Sequence, residues 1–125
     1  MLYDTDILIW VQRGNEKAAR LIDKDKDRYL SIQGYMELLQ GAKNKTHLKY
    51  VKDFINEFGF SILPLTENIG HRALIYVGEH ALSSNMRAGD AIIAATAVEN
   101  NMTLVSSNVK HFKVVNELQL KAFKP

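Results

Sequence analysis

Ala88–Asn108 reads AGDAIIAATAVENNMTLVSSN, and this stretch decides the fold. Its first part is alanine-rich, carries one acid near its start and ends at paired asparagines, which predicts a helix. MTLVSS follows at once as a short β-prone run, which predicts a strand. A helix delivered directly into a strand is one unit of a larger alternation, and the rest of the chain repeats it. LYDTD (residues 2–6) predicts a strand that ends at the acids, and ILIWVQRG (7–14) a helix stopped by Gly14. NEKAARLIDK (15–24) predicts a second helix, DRYLSI (27–32) a strand, and GYMELLQGAKN (34–44) a helix ending near Gly41.

THLKYVKDFINEFG (46–59) is the cleanest amphipathic segment. Thr46 is its expected N-cap, Gly59 its close, and Leu48, Val51, Phe54, Ile55 and Phe58 its apolar stripe. FSILPL (60–65) predicts a strand, TENIGHRALIYVGEHALS (66–83) a long helix capped by Thr66, and KVVNELQLKAF (113–123) a β-prone tail. Strands alternating with helices imply an α/β fold with a largely parallel sheet and helices on both faces.

The totals agree with one domain over residues 1–125, large enough for a real core. The chain is 46% hydrophobic and 24% charged, which suits a folded protein with an ordinary surface. It has no cysteine, so disulfides, thiolate chemistry and cysteine-based zinc sites are excluded. Asp4 interrupts any reading of the start as a signal peptide, and no apolar run approaches membrane-spanning length. A cytoplasmic protein with no membrane partner is the expectation. The net charge of +2 permits a nucleic-acid partner without arguing for one. AKNKTHLKYVK gathers Lys43, Lys45, His47, Lys49 and Lys52, either as a solvated face or as a rim that contacts phosphates.

In parallel sheets the functional crevice lies beyond the carboxyl ends of the strands. Asp4 and Asp6 follow the first predicted strand; Ser106, Ser107 and Asn108 follow the strand of the opening stretch. They converge if those two strands are neighbours. Glu37 lies among Met36, Leu38 and Leu39, and Asp90 at the start of the alanine-rich helix. Singly, each has an ordinary reading: a solvent-facing helix glutamate, an acid favoured by the helix dipole, a turn asparagine. Together, Asp4, Glu37, Asp90 and Asn108 each border a strongly apolar segment, at the edge of a core. If they meet, their repulsion needs a counterion. Oxygen ligands alone select a hard cation, Mg²⁺ or Mn²⁺, which leaves coordination positions open to a phosphate. The four histidines lack a metal-like spacing and read as surface or structural, with His111 beside Lys110 as a phosphate contact in reserve.

At this point the sequence resembles the PIN-domain ribonucleases, in particular the VapC-type toxins of toxin–antitoxin pairs. YDTDILIW is similar to the family's opening strand and Asp-Thr-[Asn/Asp] turn, and SIQGYMELLQGA to its Ser/Thr-x-x-x-x-x-Glu-Leu-x-x-Gly segment. AGDAIIAATAVENNMTLVSSNVKHF is similar to its Asp-Ala-x-Ile-Ala-Ala-x-Ala helix, strand and Thr-x-Asn/Asp turn ending in Phe, the most specific of the three. The resemblance covers nearly the whole chain. It implies a three-layer α/β/α fold around a mostly parallel sheet. It places the family's metal-binding acids on Asp4, Glu37 and Asp90, and a fourth polar ligand, often aspartate, on Asn108. Ser106 then supports Asp4, while Thr5 and Asp6 frame it.

The resemblance also implies Mg²⁺- or Mn²⁺-dependent endonucleolytic cleavage of tRNA, rRNA or mRNA. Lys43, Lys45 and Lys110 are the expected substrate contacts. A homodimer and a cognate antitoxin protein are implied as partners. Trp10, Val11 and the exposed remainder of the 48–58 stripe would suit an antitoxin helix, although core packing accounts for most of that surface. Two alternatives stay open. DTD also suits another Mg²⁺-dependent phosphotransfer enzyme of phosphatase type. Asn108, an amide where a charge is usual, suits a non-catalytic PIN-like RNA-binding or scaffold protein.

Overall fold

The computed structural model describes residues 1–125. The elements in order are β1 (Leu2–Tyr3), α1 (Thr5–Gln12), α2 (Glu16–Lys24), β2 (Tyr29–Ser31), α3 (Ile32–Gln40), α4 (Lys45–Glu57), β3 (Ser61–Leu63), α5 (Glu67–Ser84), α6 (Ala88–Glu99), β4 (Leu104–Ser106), α7 (Val109–Phe112) and β5 (Leu120–Ala122). The five strands form one sheet in the order β3-β2-β1-β4-β5, and every pairing is parallel. From β1 the chain builds outward to β2 and β3. It then crosses back and places β4 and β5 on the other side of β1. The strand order therefore reverses between β1 and β4, where Leu2 pairs with Leu104 and Tyr3 with Val105.

Period-2 alternation along these short strands splits the core into two layers. Leu2 and Leu104 face one side and pack with Ile69, Ala73 and Tyr76 of α5, Ile93 of α6 and Phe112 of α7. Tyr3, Leu30 and Val105 face the other side and pack with Ile7 and Leu8 of α1, Ile22 of α2, and Val51 and Phe54 of α4. The result is the three-layer α/β/α arrangement. The stripe of α4 is core: Val51, Phe54 and Ile55 are buried, and Trp10 and Val11 pack half-buried against the same cluster. No helix is long and apolar enough to cross a membrane.

The expected elements are present, with corrections at their ends. The first strand stops at Tyr3, before it reaches the acids. Asp4 is the N-cap of α1, its side chain accepting from the Thr5 N–H, so Thr5 and Asp6 lie inside a helix. Asp is a strong N-cap, and that local bond outcompetes extension of the strand. Ser31 does the same for α3 by accepting from the Gly34 N–H at 2.9 Å, which starts that helix at Ile32. The cap of α4 is Asn44, not Thr46; its Oδ1 accepts from the His47 N–H at 2.8 Å. Thr66 caps α5 as expected. Gly14 and Gly59 sit at φ +86° and +67°, the left-handed conformation that glycine tolerates and that ends α1 and α4. The short α7 has no counterpart in the sequence reading; four residues are too few to show a period.

Candidate active site at the sheet's reversal

Three local solutions aim side chains at the carboxyl ends of β1 and β4. The N-cap role of Asp4 turns its carboxylate toward the gap between the strands. Its Oδ1 accepts from the Thr5 N–H at 2.8 Å and its Oδ2 from the Ser106 hydroxyl at 2.7 Å. Ser106 ends β4, is fully buried, and also accepts from the Asn108 N–H at 2.9 Å. Asp6, two residues along α1, accepts at Oδ2 from the Ser107 N–H at 2.9 Å and from the Ser107 hydroxyl. Its Oδ1 is buried with no hydrogen-bond partner.

Glu37 reaches the same place from α3. Its Oε1 accepts from the Thr5 hydroxyl at 2.9 Å and its Oε2 from the Gln33 amide at 3.0 Å. Gly89 of α6 closes on it: a Cβ at that position would stand 2.8 Å from Glu37 Oε2. The glycine therefore lets α6 approach α3 closely enough to bring Asp90 alongside. Asp90 Oδ2 lies 3.1 Å from His111 Nδ1, and that ring nitrogen lies 3.0 Å from the Asn108 amide. The Arg87 N–H adds a long contact to Asp90 Oδ2 at 3.4 Å, so the acid also serves the start of its own helix.

The structure thus brings together Asp4, Thr5, Asp6, Glu37, Asp90, Ser106 and Asn108, from four separate parts of the chain. No lysine or arginine pairs with any of these carboxylates; His111 is the one titratable base in reach. Burial pushes the Asp4 carboxyl up to about 7, with repulsion from Asp6 and Asp90 adding to it and the Ser106 and Thr5 hydrogen bonds opposing it. As the side chains stand, no three acids or histidines are in ligating geometry. Each carboxylate is instead held by a hydroxyl, an amide or an imidazole.

The donor chemistry nevertheless fits a hard divalent cation. The donors are oxygens, the acids repel one another without a neutralising lysine or arginine, and one carboxylate oxygen of Asp6 is buried without a partner. The expected substrate lysines lie further out. Lys43 lines a cleft next to Glu37, Lys45 is the exposed first residue of α4, and Lys110 is exposed on α7. His111 is the site residue that sequence reasoning read only as surface, structural or a spare phosphate contact. Its partner Asp90 is 21 residues away, and the fold alone brings them together.

A family model described as "PIN domain" matches residues 1–118. No curated protein matches the chain. Among solved structures, the chain is similar to a toxin–antitoxin complex from Klebsiella pneumoniae at 27% identity, with 94% of this chain and 93% of that chain covered and a TM-score of 0.76. It is similar to VapBC-1 from nontypeable Haemophilus influenzae at 23% identity, with 98% of each chain covered and a TM-score of 0.79. It is also similar to VapBC2 from Rickettsia felis, solved bound to a DNA fragment from its promoter, at 21% identity, with 99% and 100% covered and a TM-score of 0.78.

Proposed function

The chain belongs to the PIN-domain family, and from that premise we propose that it is a VapC-type toxin, an endoribonuclease that works with Mg²⁺ or Mn²⁺. One observation carries the reading. Polar groups from residues 4, 37, 90 and 108 meet where the strand order reverses, and no lysine or arginine neutralises them. An arrangement this costly to bury serves a cation and a substrate better than it serves stability.

Asp4, Glu37 and Asp90 would hold the cation, with the Asn108 amide oxygen assisting. When bound, Mg²⁺ or Mn²⁺ would supply the positive charge that offsets the phosphodiester and would make water acidic enough to give up a proton to solvent before attack on phosphorus. The chain's own residues set the geometry. Ser106 fixes the Asp4 carboxylate, Thr5 and Gln33 fix Glu37, and His111 fixes Asp90. Lys43, Lys45 and Lys110 would contact the RNA backbone.

A cognate antitoxin is the proposed regulator, supported by structural neighbours that are themselves toxin–antitoxin complexes. A homodimer is supported by α5, which exposes Leu74, Ile75 and Leu82, with Leu65 nearby in sequence. Incubation of the purified protein with total RNA, with Mg²⁺ or with EDTA, beside an Asp4→Asn variant, tests the reading. Cuts that need the metal and vanish in the variant are expected. Intact RNA under every condition, together with cells indifferent to expression, refutes it; phosphate release from small phosphomonoesters would point to a phosphatase instead.

A further inference from the structure

Beside Glu37 a cleft of about 330 Å³ opens between the end of α1, the α3–α4 connection and the first turn of α4. Gln12, Arg13, Gly41, Lys43 and His47 share its lining with Glu37. Donors dominate it. Neither Arg13 nor Lys43 has a carboxylate partner within salt-bridge distance. The Arg13 guanidinium sits 5.8 Å above the Trp10 ring, which limits its positions. The Lys43 N–H donates to His47 Nδ1 at 3.1 Å, which leaves the neutral ring with its proton on Nε2, free to donate. Gln12 Nε2 is buried with no acceptor at all. Glu37 is the one carboxylate in the lining, and Thr5 and Gln33 already engage both of its oxygens.

A cleft with two unpaired cations and further unused donors selects an anionic, acceptor-rich ligand. Its volume lies at the small end of ligand pockets, about the scale of one nucleotide unit. Glu37 is shared between this cleft and the cluster of acids, so a chain of nucleotides passing the acids would run into it. We propose that this cleft is a subsite for the nucleotide next to the scissile phosphate. Arg13 and Lys43 bind its phosphate, and His47 donates to its ribose or base oxygens. This rests on the nuclease reading above.

The test uses the full chain with Asp4→Asn, which leaves RNA uncut, and a short fluorescein-labelled RNA of mixed sequence read by anisotropy. Arg13→Ala and Lys43→Ala, both at exposed positions, are each expected to weaken binding by about tenfold. Each should also flatten the slope of log affinity against log salt by about 0.7, the signature of one lost phosphate contact on a single strand. Lys17→Ala, in a separate basic cleft with Arg20 and Lys24, should leave RNA binding unchanged. Equal RNA binding by the parent and the Arg13 and Lys43 variants overturns the subsite and leaves the nuclease reading intact. A parent that does not bind RNA, with a wild type that does not cut it, overturns both. Displacement of the RNA by polyglutamate, with the same variants losing the peptide equally, would mark a docking site for an acidic protein segment and overturn the RNA assignment.

Discussion

Replacing Asp4 by asparagine should make the metal-free protein more stable, and only above a certain pH. Asp4 is 7% exposed, and burial beside Asp6 and Asp90 pushes its carboxyl up to about 7. In the unfolded chain an aspartate titrates near 3.9. Between these values the folded state keeps a proton that the unfolded state has lost. The contribution of this group to stability is therefore fully present below about pH 4, falls as pH climbs to about 7, and is flat above that. The gap between about 4 and about 7 corresponds to about 4 kcal/mol. In the Asp4→Asn variant the amide oxygen still accepts from the Thr5 N–H, and the amide nitrogen can donate to Ser106, so the local bonds survive. Denaturant unfolding in EDTA is the assay. At pH 8 the variant should exceed wild type by a few kcal/mol, up to about 4; near pH 4 the two should coincide. Added Mg²⁺ should then raise the wild type by mass action and leave the variant unchanged. A wild type whose stability is constant from pH 4 to 8, or a variant no more stable at pH 8, would refute the burial argument. A variant that responds to Mg²⁺ like wild type would remove Asp4 from the cation site.

Gly89→Ala should separate activity from stability. Alanine favours a helix by up to about 1 kcal/mol, yet its Cβ meets Glu37 Oε2 at 2.8 Å and must displace that carboxylate. RNA cleavage should fall between about tenfold and a hundredfold while the melting temperature holds or rises. Ser106→Ala leaves Asp4 Oδ2 and the Asn108 N–H without their shared partner; calorimetry should show a loss of about 1–3 kcal/mol, with weaker metal binding. His111→Ala should lower Mn²⁺ affinity about tenfold or more, and His111→Asn, which keeps a polar group near Asp90, should recover part of it. Asn108→Asp should preserve or raise metal affinity in a titration; a large loss of activity would mean that position is not a ligand.

Much of the fold was legible because the helices announce themselves. α4 carries a continuous apolar stripe, α5 a threonine cap, and α6 an alanine run that fits a helix buried against its neighbours. The parallel sheet followed from the alternation. Element ends were harder, since Asp4, Ser31 and Asn44 each start a helix through one side-chain bond to a backbone N–H, and several nearby polar residues could have done so. The polar residues of the site could be nominated one at a time from their positions at the edges of apolar segments. Their linkage could not. Thr5 to Glu37 spans 32 residues, Ser106 to Asp4 spans 102, and both contacts depend on which strand lies beside β1. His111 was illegible for the same reason. Nothing in its own neighbourhood of the chain points to Asp90.

The placement of β4 beside β1 also sets a schedule. During synthesis, Asp4 and Glu37 emerge well before the strand that carries Ser106, which lies 102 residues after Asp4. Until that strand docks between β1 and β5, Asp4 lacks the hydroxyl that orients it, and Asp90 lacks His111. Contacts across so many residues form late in folding, because the loop they close is long. A nascent chain therefore holds the acids without the completed centre. On the proposed nuclease reading, this order of assembly is a delay between being made and being armed.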